Sequence, residues 1–502
     1  MIETLIGLDI GTTTTKAVLF DSAGKELASQ SSAPYPIYTP NPGWIEQDAE
    51  DIWHAVRDAI QGVLTKVNEP FHVLAICIAA QSGSLIPVDD QGNPVYRLIT
   101  WMDGRTAGLV KQWQIEGLQT RVKAICGWSL YPGLCLPTIA WLRQHMPDVF
   151  KKTRYFLSVN DFIVYRLTGH RITNPSNAGG MQLADIHSGK WSAELCALAG
   201  ISQDQLSPIQ PAAKILGTVL SDRFELSDHL SETILVNGGH DQGCTAVGLG
   251  LISPGKMLLA CGTAWVITGV ITSPGQNNIP SLLDINFHAA PNLWTISQSL
   301  GGLGASLEWW SKQAWKGIEG QVAREEIYRG LNAELEESTG GADGLYFLPV
   351  TGGHSGPATT QKGGFVGLQL SHTRGDMARA ILEGAAFELR WCLDNIRSAG
   401  LPVNNLWMVG GAANSTEWPK ILASVTNTTL HLPQYDNWPA LGAALLGGLG
   451  SGIFNSIKEG LNRFQRPTYT VDPDQPQAVA YDNSFNEYRE YVTNNENLLS
   501  AK

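Results

Sequence analysis

The 502 residues contain no Cys-x-x-Cys pair, no His-Glu-x-x-His segment and no Gly-x-Ser-x-Gly elbow. Their absence removes the usual sequence support for a zinc centre, a dithiol redox pair or a serine nucleophile. Positive charge is scarce: 34 Lys plus Arg stand against 46 Asp plus Glu, a formal charge of -12, and no basic run could track a phosphate backbone. Nucleic acid is not an expected partner. The cysteines Cys77, Cys126, Cys135, Cys196, Cys244, Cys261 and Cys392 are odd in number, far apart and mostly set among apolar neighbours, which reads as reduced thiols and a cytoplasmic setting. Glu3 and Asp9 interrupt the apolar start of the chain, so no secretory leader is expected. The best candidate for a membrane span, "WPALGAALLGGLGSGIF" from Trp438 to Phe454, is uncharged but Gly-rich and short of the roughly 20 residues a span needs. A buried helix and loop is expected there, and no membrane partner. A Walker-type loop almost forms at "GLISPGKM", but Met257 follows Lys256 where Ser or Thr is needed, and Pro254 sits inside it.

What is present is the composition of a globular enzyme, 43% hydrophobic with 53 glycines, at a length of about two domains or more by a prior of roughly 100 to 200 residues each. Leu5 to Ile10, Ala17 to Phe20 and Glu26 to Gln30 read as successive antiparallel strands. An amphipathic helix follows from Ala49 to Leu64, opened by Asp48, and Val73 to Ala80 reads as a strand covered on both faces. Strands and helices interleave, so the expected class is α/β. "LIGLDIGTTTTKAVLF" is echoed half a chain later by "KMLLACGTAWVITGV", Lys256 to Val270, the pattern of a duplicated domain with a ligand between the halves. The boundary is expected between Gly248 and Pro254, giving domains 1–248 and 249–482. Apolar residues at Ile381, Ala385, Leu389 and Leu393 predict a long core-facing helix stopped by Gly400, and Glu417 to Asn427 a further helix. The polar tail 483–502 is expected to fray.

Three constellations carry possible chemistry. The turn Gly11, Thr12, Thr13, Thr14, Thr15 between two strands offers N–H and hydroxyl donors, with Lys16 adding positive charge, as a phosphate cradle would. Asp9 just before it is a carboxylate in an apolar strand, tolerable if a Mg²⁺ ion on the phosphates holds it, or if it merely hydrogen-bonds its own turn. Gly262 and Thr263 repeat the Gly-Thr turn. In "ETILVNGGHDQGCTAVGLG", Asp241 and Gln242 lie between a strand and a helix, so Asp241 is either an N-cap or a general base toward a substrate hydroxyl. In "VGGAANSTEW", Gly410 and Gly411 admit close approach of a ligand and Asn414 could read a base or ribose; any strand-to-helix glycine turn gives the same pattern. Trp101, beside Asp103 and Arg105 in "ITWMDGR", could line a polyol pocket.

Together these segments resemble the FGGY family of carbohydrate kinases. "GLDIGTTTTK", "GWIEQDAEDIW", "ITWMDGRT", "GGHDQGCTAVG", "LACGTAW", "GGFVGLQLSHTRGDMARAILEGAAFELR" and "VGGAANSTEW" with "PALGAALLG" look like the family's motifs, in order, over nearly the whole chain. The resemblance implies two ribonuclease-H-like domains of the actin and hexokinase type with a central cleft, sugar held mainly by the first and ATP mainly by the second. It implies that Asp241 is the general base, Asp9 the Mg²⁺-linked carboxylate, Thr12, Thr13 and Thr263 phosphate contacts, and Gly304, Glu308, Gly411 and Asn414 nucleotide contacts. Gln81, Ser82 and Gly83 stand at the sugar-reading position, where xylulokinases carry Gln-Met-His-Gly, gluconate kinases a Met-His-Ser and glycerol kinases Asn-Gln-Arg-Glu. The departure leaves a roomier, uncharged site. The expectation is ATP-dependent phosphorylation of a small sugar or polyol, with a ketopentose such as xylulose first and gluconate, erythritol or glycerol as alternatives, and with a homodimer as a common state of similar kinases. An actin-like ATPase switch and a degenerate sugar sensor are the rival readings.

Overall fold

The apolar segments at the start of the chain form, in the computed structural model, one edge of a six-stranded sheet. The structure describes residues 2–262, 264–275, 279–314, 324–349 and 363–500. Strands β1 (Ile2–Ile10), β2 (Thr15–Asp21) and β3 (Glu26–Ser31) run antiparallel as a meander, with Asp9 opposite Lys16. Helix α1 (Ala49–Leu64), capped by Asp48 through the Glu50 amide, returns the chain to β4 (Phe71–Ala80), which pairs parallel to β1. Strands β5 (Ile215–Thr218) and β6 (Ile234–His240) complete the order β5-β6-β4-β1-β2-β3, with β6 parallel to β4. From the end of β6 the chain enters helix α2 (Asp241–Gly248).

The second sheet repeats this plan. Strands β7 (Gly255–Cys261), β8 (Trp265–Ile271), β9 (Asp284–Phe287) and β10 (Trp294–Ser299) are antiparallel neighbours; β11 (Val403–Val409) and β12 (Leu430–Pro433) then add parallel to β7, and β13 (Thr468–Val471) closes the edge. The order is β9-β10-β8-β7-β11-β12-β13. The hairpin β7–β8 occupies the place of β1–β2, as the repeated Gly-Thr sequence predicts. Between β4 and β5 the first half inserts a helical lobe with its own apolar core, which includes Leu85, Ile139, Leu142 and Leu206.

Each face of the first sheet packs differently. Ile6, Leu8 and Ile10 join α1 in one core, while Leu5, Val18, Ala75 and Cys77 face helix α4 (Trp438–Ser451). Of the helices of the second half, those used below are, in chain order, α3 (Arg374–Ser398), this α4, α5 (Ile457–Arg463) and α6 (Gln475–Ser500); a further helix, Trp418–Thr426, lies where the segment from Glu417 to Asn427 predicts one. Helix α3 starts with a Thr373–Asp376 capping box and is followed by Gly400 at φ +78°, so the predicted stop is where the backbone turns left-handed. The predicted fraying tail is helical instead. Tyr481, Phe485 and Tyr488 of α6 are buried in the second core, and Tyr481 Oη donates to Glu383 Oε1 at 2.7 Å while Tyr488 Oη donates to Glu388. The aromatic spacing of four and three residues gives the polar-looking segment an apolar stripe.

Helix α4 comes late in the sequence yet lies on the first sheet. It is apolar nearly all round, as suits a helix buried on every side. The approach is backbone to backbone: a Cβ on Gly7 would stand 1.9 Å from the Ala440 carbonyl oxygen, and one on Gly442 1.8 Å from that of Cys244 in α2. Glycine is required at both positions for lack of space. No helix among the described residues is long and apolar enough to cross a membrane.

Candidate active site

Strands β1, β4 and β6 are neighbours and run the same way, so their carboxyl ends open on one crevice, the usual ligand position in such sheets. Asp9 leaves β1 there, Gln81 to Gly83 leave β4, and Asp241 follows β6. The two acids stand two strands apart, about 10 Å between backbones at the ordinary strand spacing.

Asp9 is largely buried, and its carboxylate accepts no hydrogen bond from the described residues, so it does not bond its own turn. Burial, then the charge of Asp241, push its pKa up to about 7, against the opposing charge of Lys16. Lys16 itself donates Nζ–H to Asn437 Oδ1 at 2.8 Å, at the start of α4. Its charge therefore reaches the site from a tethered position.

The Gly11–Thr14 turn is held by its carbonyls. Gly11 O accepts from Gln81 Nε2 at 3.1 Å and Tyr35 Oη at 3.1 Å, Thr12 O from Gln47 Nε2 at 2.8 Å, and Thr13 O from the Tyr35 amide at 2.9 Å. The amides of Thr12, Thr13 and Thr14 donate to no acceptor among the described residues. A turn with its acceptors satisfied and successive N–H groups open is an anion-binding concavity. Trp101, 45% exposed, donates Nε1–H to Thr12 Oγ1 at 3.0 Å, which leaves its ring face open beside the turn.

Asp241 is the first residue of α2, and His240 occupies the cap position without a side-chain cap bond. The N-cap alternative is thereby set aside. One carboxylate oxygen, Oδ1, meets His240 Nε2 at 2.8 Å and the Gln242 amide at 2.6 Å, and Oδ2 has no partner among the described residues. The side chain keeps 30% exposure. The backbone beneath it is fixed, since the His240 amide donates to Ser176 Oγ at 2.9 Å, and Ser176 Oγ–H donates to Asn174 Oδ1 at 2.8 Å.

Other expected sugar contacts are placed differently. Asp103 is fully buried with both oxygens occupied: Oδ1 by the Arg105 amide and Nε, Oδ2 by the Ile45 amide and Arg105 Nη2. Arg105 also bonds Glu46 at 2.7 Å and lies 3.8 Å over the Trp44 ring. Asp103 therefore braces the Trp101 loop and cannot touch a ligand. Gln81 is likewise buried and satisfied, accepting from Ser84 Oγ at 3.0 Å. The extra room expected at Gly83 is taken: its φ is +81° and an added Cβ would lie 2.4 Å from Leu134 Cδ2. Ser82 packs on Gly180, with its hydroxyl buried and unbonded among the described residues.

In the second sheet, Gly262 follows β7 and Gly410 follows β11, two paired strands, both at exposed positions. Gly410, at φ +99°, would place a Cβ 2.5 Å from the Cys261 carbonyl oxygen, so the glycine is needed to close the two strand ends together. Gly411 and Asn414 are exposed in a short turn of helix, and a Cβ on Gly411 meets nothing within 4 Å. Gly304 and Glu308 lie on the helix Leu303–Ala314, where Glu308 pairs with Lys312 at 3.3 Å. Thr263 lies outside the described residues. Gln47, Tyr35, His240 and Ser176 were not singled out by sequence. Gln47 stands in the "GWIEQD" segment and His240 beside Asp241, whereas nothing local marks Tyr35 or Ser176.

The geometry brings a turn with open amides and a partly exposed acid to the carboxyl ends of one sheet. The chain belongs to the FGGY family of carbohydrate kinases: residues 4–248 match the model of the family's N-terminal domain and residues 258–451 that of its C-terminal domain. It is a carbohydrate kinase, which transfers phosphoryl from ATP to a sugar. The xylulose kinase of Bacillus subtilis (strain 168) is 28% identical over 99% of this chain and 98% of that relative. The L-xylulose/3-keto-L-gulonate kinase of Escherichia coli (strain K12) is 26% identical over 98% and 97%. Among solved structures, xylulose kinase from Rhodospirillum rubrum superposes with a TM-score of 0.89 at 26% identity, covering 99% of each chain. Gluconate kinase from Lactobacillus acidophilus gives 0.89 at 24% identity, covering 98% of each.

Proposed function

We propose that this kinase phosphorylates a ketopentose of the xylulose type, with Asp241 as general base and Mg²⁺ at Asp9. The observation that carries the assignment of roles is the pair of unlike carboxylates on one sheet end. Asp241 has a free oxygen open to the cleft, while Asp9 is enclosed and unbonded. The relatives named xylulose kinase support the substrate.

In the reaction, the sugar hydroxyl gives its proton to Asp241 Oδ2 as its oxygen bonds to the γ-phosphorus of ATP. The bond from that phosphorus to the ADP oxygen breaks, and ADP leaves with the electron pair. His240 Nε2 and the Gln242 amide, both on Oδ1, aim the other oxygen at the hydroxyl. The Thr12, Thr13 and Thr14 amides stabilise negative charge on the transferred group at no reorganisation cost. An enclosed carboxylate without a hydrogen bond, near a second carboxylate, fits Mg²⁺, which takes one or two carboxylates together with phosphate oxygens and water. Asp9 would hold it, and the ion would supply neutralisation of the phosphate charge. Positioning and charge neutralisation carry most of such a transfer. The reading extends to a division at 248–249 and to a cytoplasmic enzyme, which the seven buried free cysteines support. A homodimer is part of the same reading and is checked by light scattering in solution.

The test is ADP release over a panel of xylulose, gluconate, erythritol and glycerol, with wild type and Asp241→Asn. Xylulose is expected to give the highest kcat/KM. Asp241→Asn is expected to lose at least about 10³-fold in kcat while nucleotide binding is retained. Sugar-independent ADP release, or turnover in the variant, would refute the roles assigned.

A further inference from the structure

Far along the chain from the cradle, the residues that connect the two halves line a half-open cavity of about 620 Å³. That volume falls within the range of small-molecule sites, roughly 300 to 1,000 Å³. Its walls include the end of α2, the connecting residues Ile252 and Ser253, the strand residues Lys256 and Trp407, the first residue of α4, Trp438, and α5 with Lys458. Phe464 and Arg466 complete the lining. Three cations line this cavity, no Asp or Glu does, and the protein as a whole carries a charge of -12. None of the three is in an ion pair among the described residues.

Two of the three cations, Lys256 and Arg466, are held by neutral groups. Lys256 Nζ donates to Gly250 O at 3.3 Å and lies 5.1 Å from the Trp407 ring centre. Arg466 donates to Gly24 O and Gln465 O, each at 3.0 Å, and stands over the Tyr435 ring at 4.6 Å. Glu26, the acid bonded to the hydroxyl of that tyrosine, is already held by Tyr435 Oη at 2.5 Å and by Asn437. Trp438, only 7% exposed, has an indole N–H with no acceptor among the described residues. Three cations with no acid beside them, in a cavity of this volume, ask for an anion attached to a small organic body.

We propose that this cavity binds a phosphorylated small metabolite and that its occupancy regulates the kinase. Its walls come from both halves of the chain, so a ligand there binds one arrangement of the halves better than another and shifts the population of the closed cleft. The full-length protein is titrated with inorganic pyrophosphate at fixed free Mg²⁺, with the active site filled by a non-hydrolysable ATP analogue, and binding is read by calorimetry and by tryptophan fluorescence. Turnover is then measured over the same pyrophosphate range with saturating ATP. Saturable binding is expected, weakened at least tenfold by Lys458→Glu, together with a change in turnover of at least twofold that this variant lacks. Lys458 is exposed, so the variant folds and keeps basal turnover. Lys256→Met, which keeps the aliphatic packing on Trp407, is expected to weaken binding likewise. No saturable binding, equal affinity in both variants and wild type, or binding without a change in turnover would each overturn the proposal.

Discussion

Replacing Asp9 by Asn separates what that carboxylate costs the fold from what it does for the reaction. Its pKa rises from 3.8 to about 7, chiefly through burial and then through Asp241. At about 1.4 kcal/mol per unit this corresponds to roughly 4 kcal/mol of lost stability in the unliganded protein, and partial contact with solvent reduces the figure to about 2 kcal/mol. The sign follows from proton binding. Between pH 3.8 and 7 the native carboxyl holds its proton while the unfolded one releases it, so native stability falls as pH rises through that window and levels off above it. Asn has no such dependence. The stability of Asp9→Asn relative to wild type, measured by urea unfolding from pH 5 to 8, is therefore expected to climb with pH up to about 7 and then stay constant, while kinase activity is lost. A gap independent of pH, or one that narrows as pH rises, would refute the placement of Asp9 as a largely buried carboxylate whose charge is disfavoured.

Three other outcomes follow from packing and hydrogen bonds. Gly442→Ala forces a Cβ to within 1.8 Å of the Cys244 carbonyl; it is expected to cost about 3 kcal/mol in chemical unfolding, and a change below about 0.5 kcal/mol would contradict the backbone contact. Tyr35→Phe removes the bonds to Gly11 O at 3.1 Å and Thr15 Oγ1 at 3.0 Å; about 1 kcal/mol of stability and a raised KM for ATP at nearly constant KM for sugar are expected from steady-state kinetics. Asp284→Ala leaves Lys123, Ser129 and Tyr131 without their shared acceptor; a loss of about 3 kcal/mol, read as a lower melting temperature, is expected because that acid ties the lobe of the first half to the second sheet.

How much of this was legible in the sequence depends on the range of the contact. The meander, the helix after Asp48, the long helix stopped before Gly400 and the repeated Gly-Thr hairpin are local patterns, and each occurs where the periodicity put it. The open-amide turn after β1 and the strand-to-helix position of Asp241 were legible because turn chemistry is written in adjacent residues. Asp103 was misplaced: charge beside Trp101 looks like a ligand contact until Arg105 and the Ile45 amide are seen to use both oxygens. The tail was misjudged for a similar reason, since its aromatic stripe acquires meaning only against α3. The destination of α4 could not be read. Apolar residues all round announce burial but not the sheet that provides it, and the Gly7–Ala440 contact spans most of the chain.

That late helix has a consequence for synthesis. By the time residue 248 leaves the ribosome, every strand of the first sheet exists, yet the face carrying Leu5, Val18, Ala75 and Cys77 still awaits a cover encoded some two hundred codons downstream. Until then the nascent half presents a bare greasy surface of the kind that chaperones grip and that aggregates when left alone. A fragment cut at the midpoint would thus be an orphan in need of rescue, and supplying residues 249–502 in trans would be its remedy.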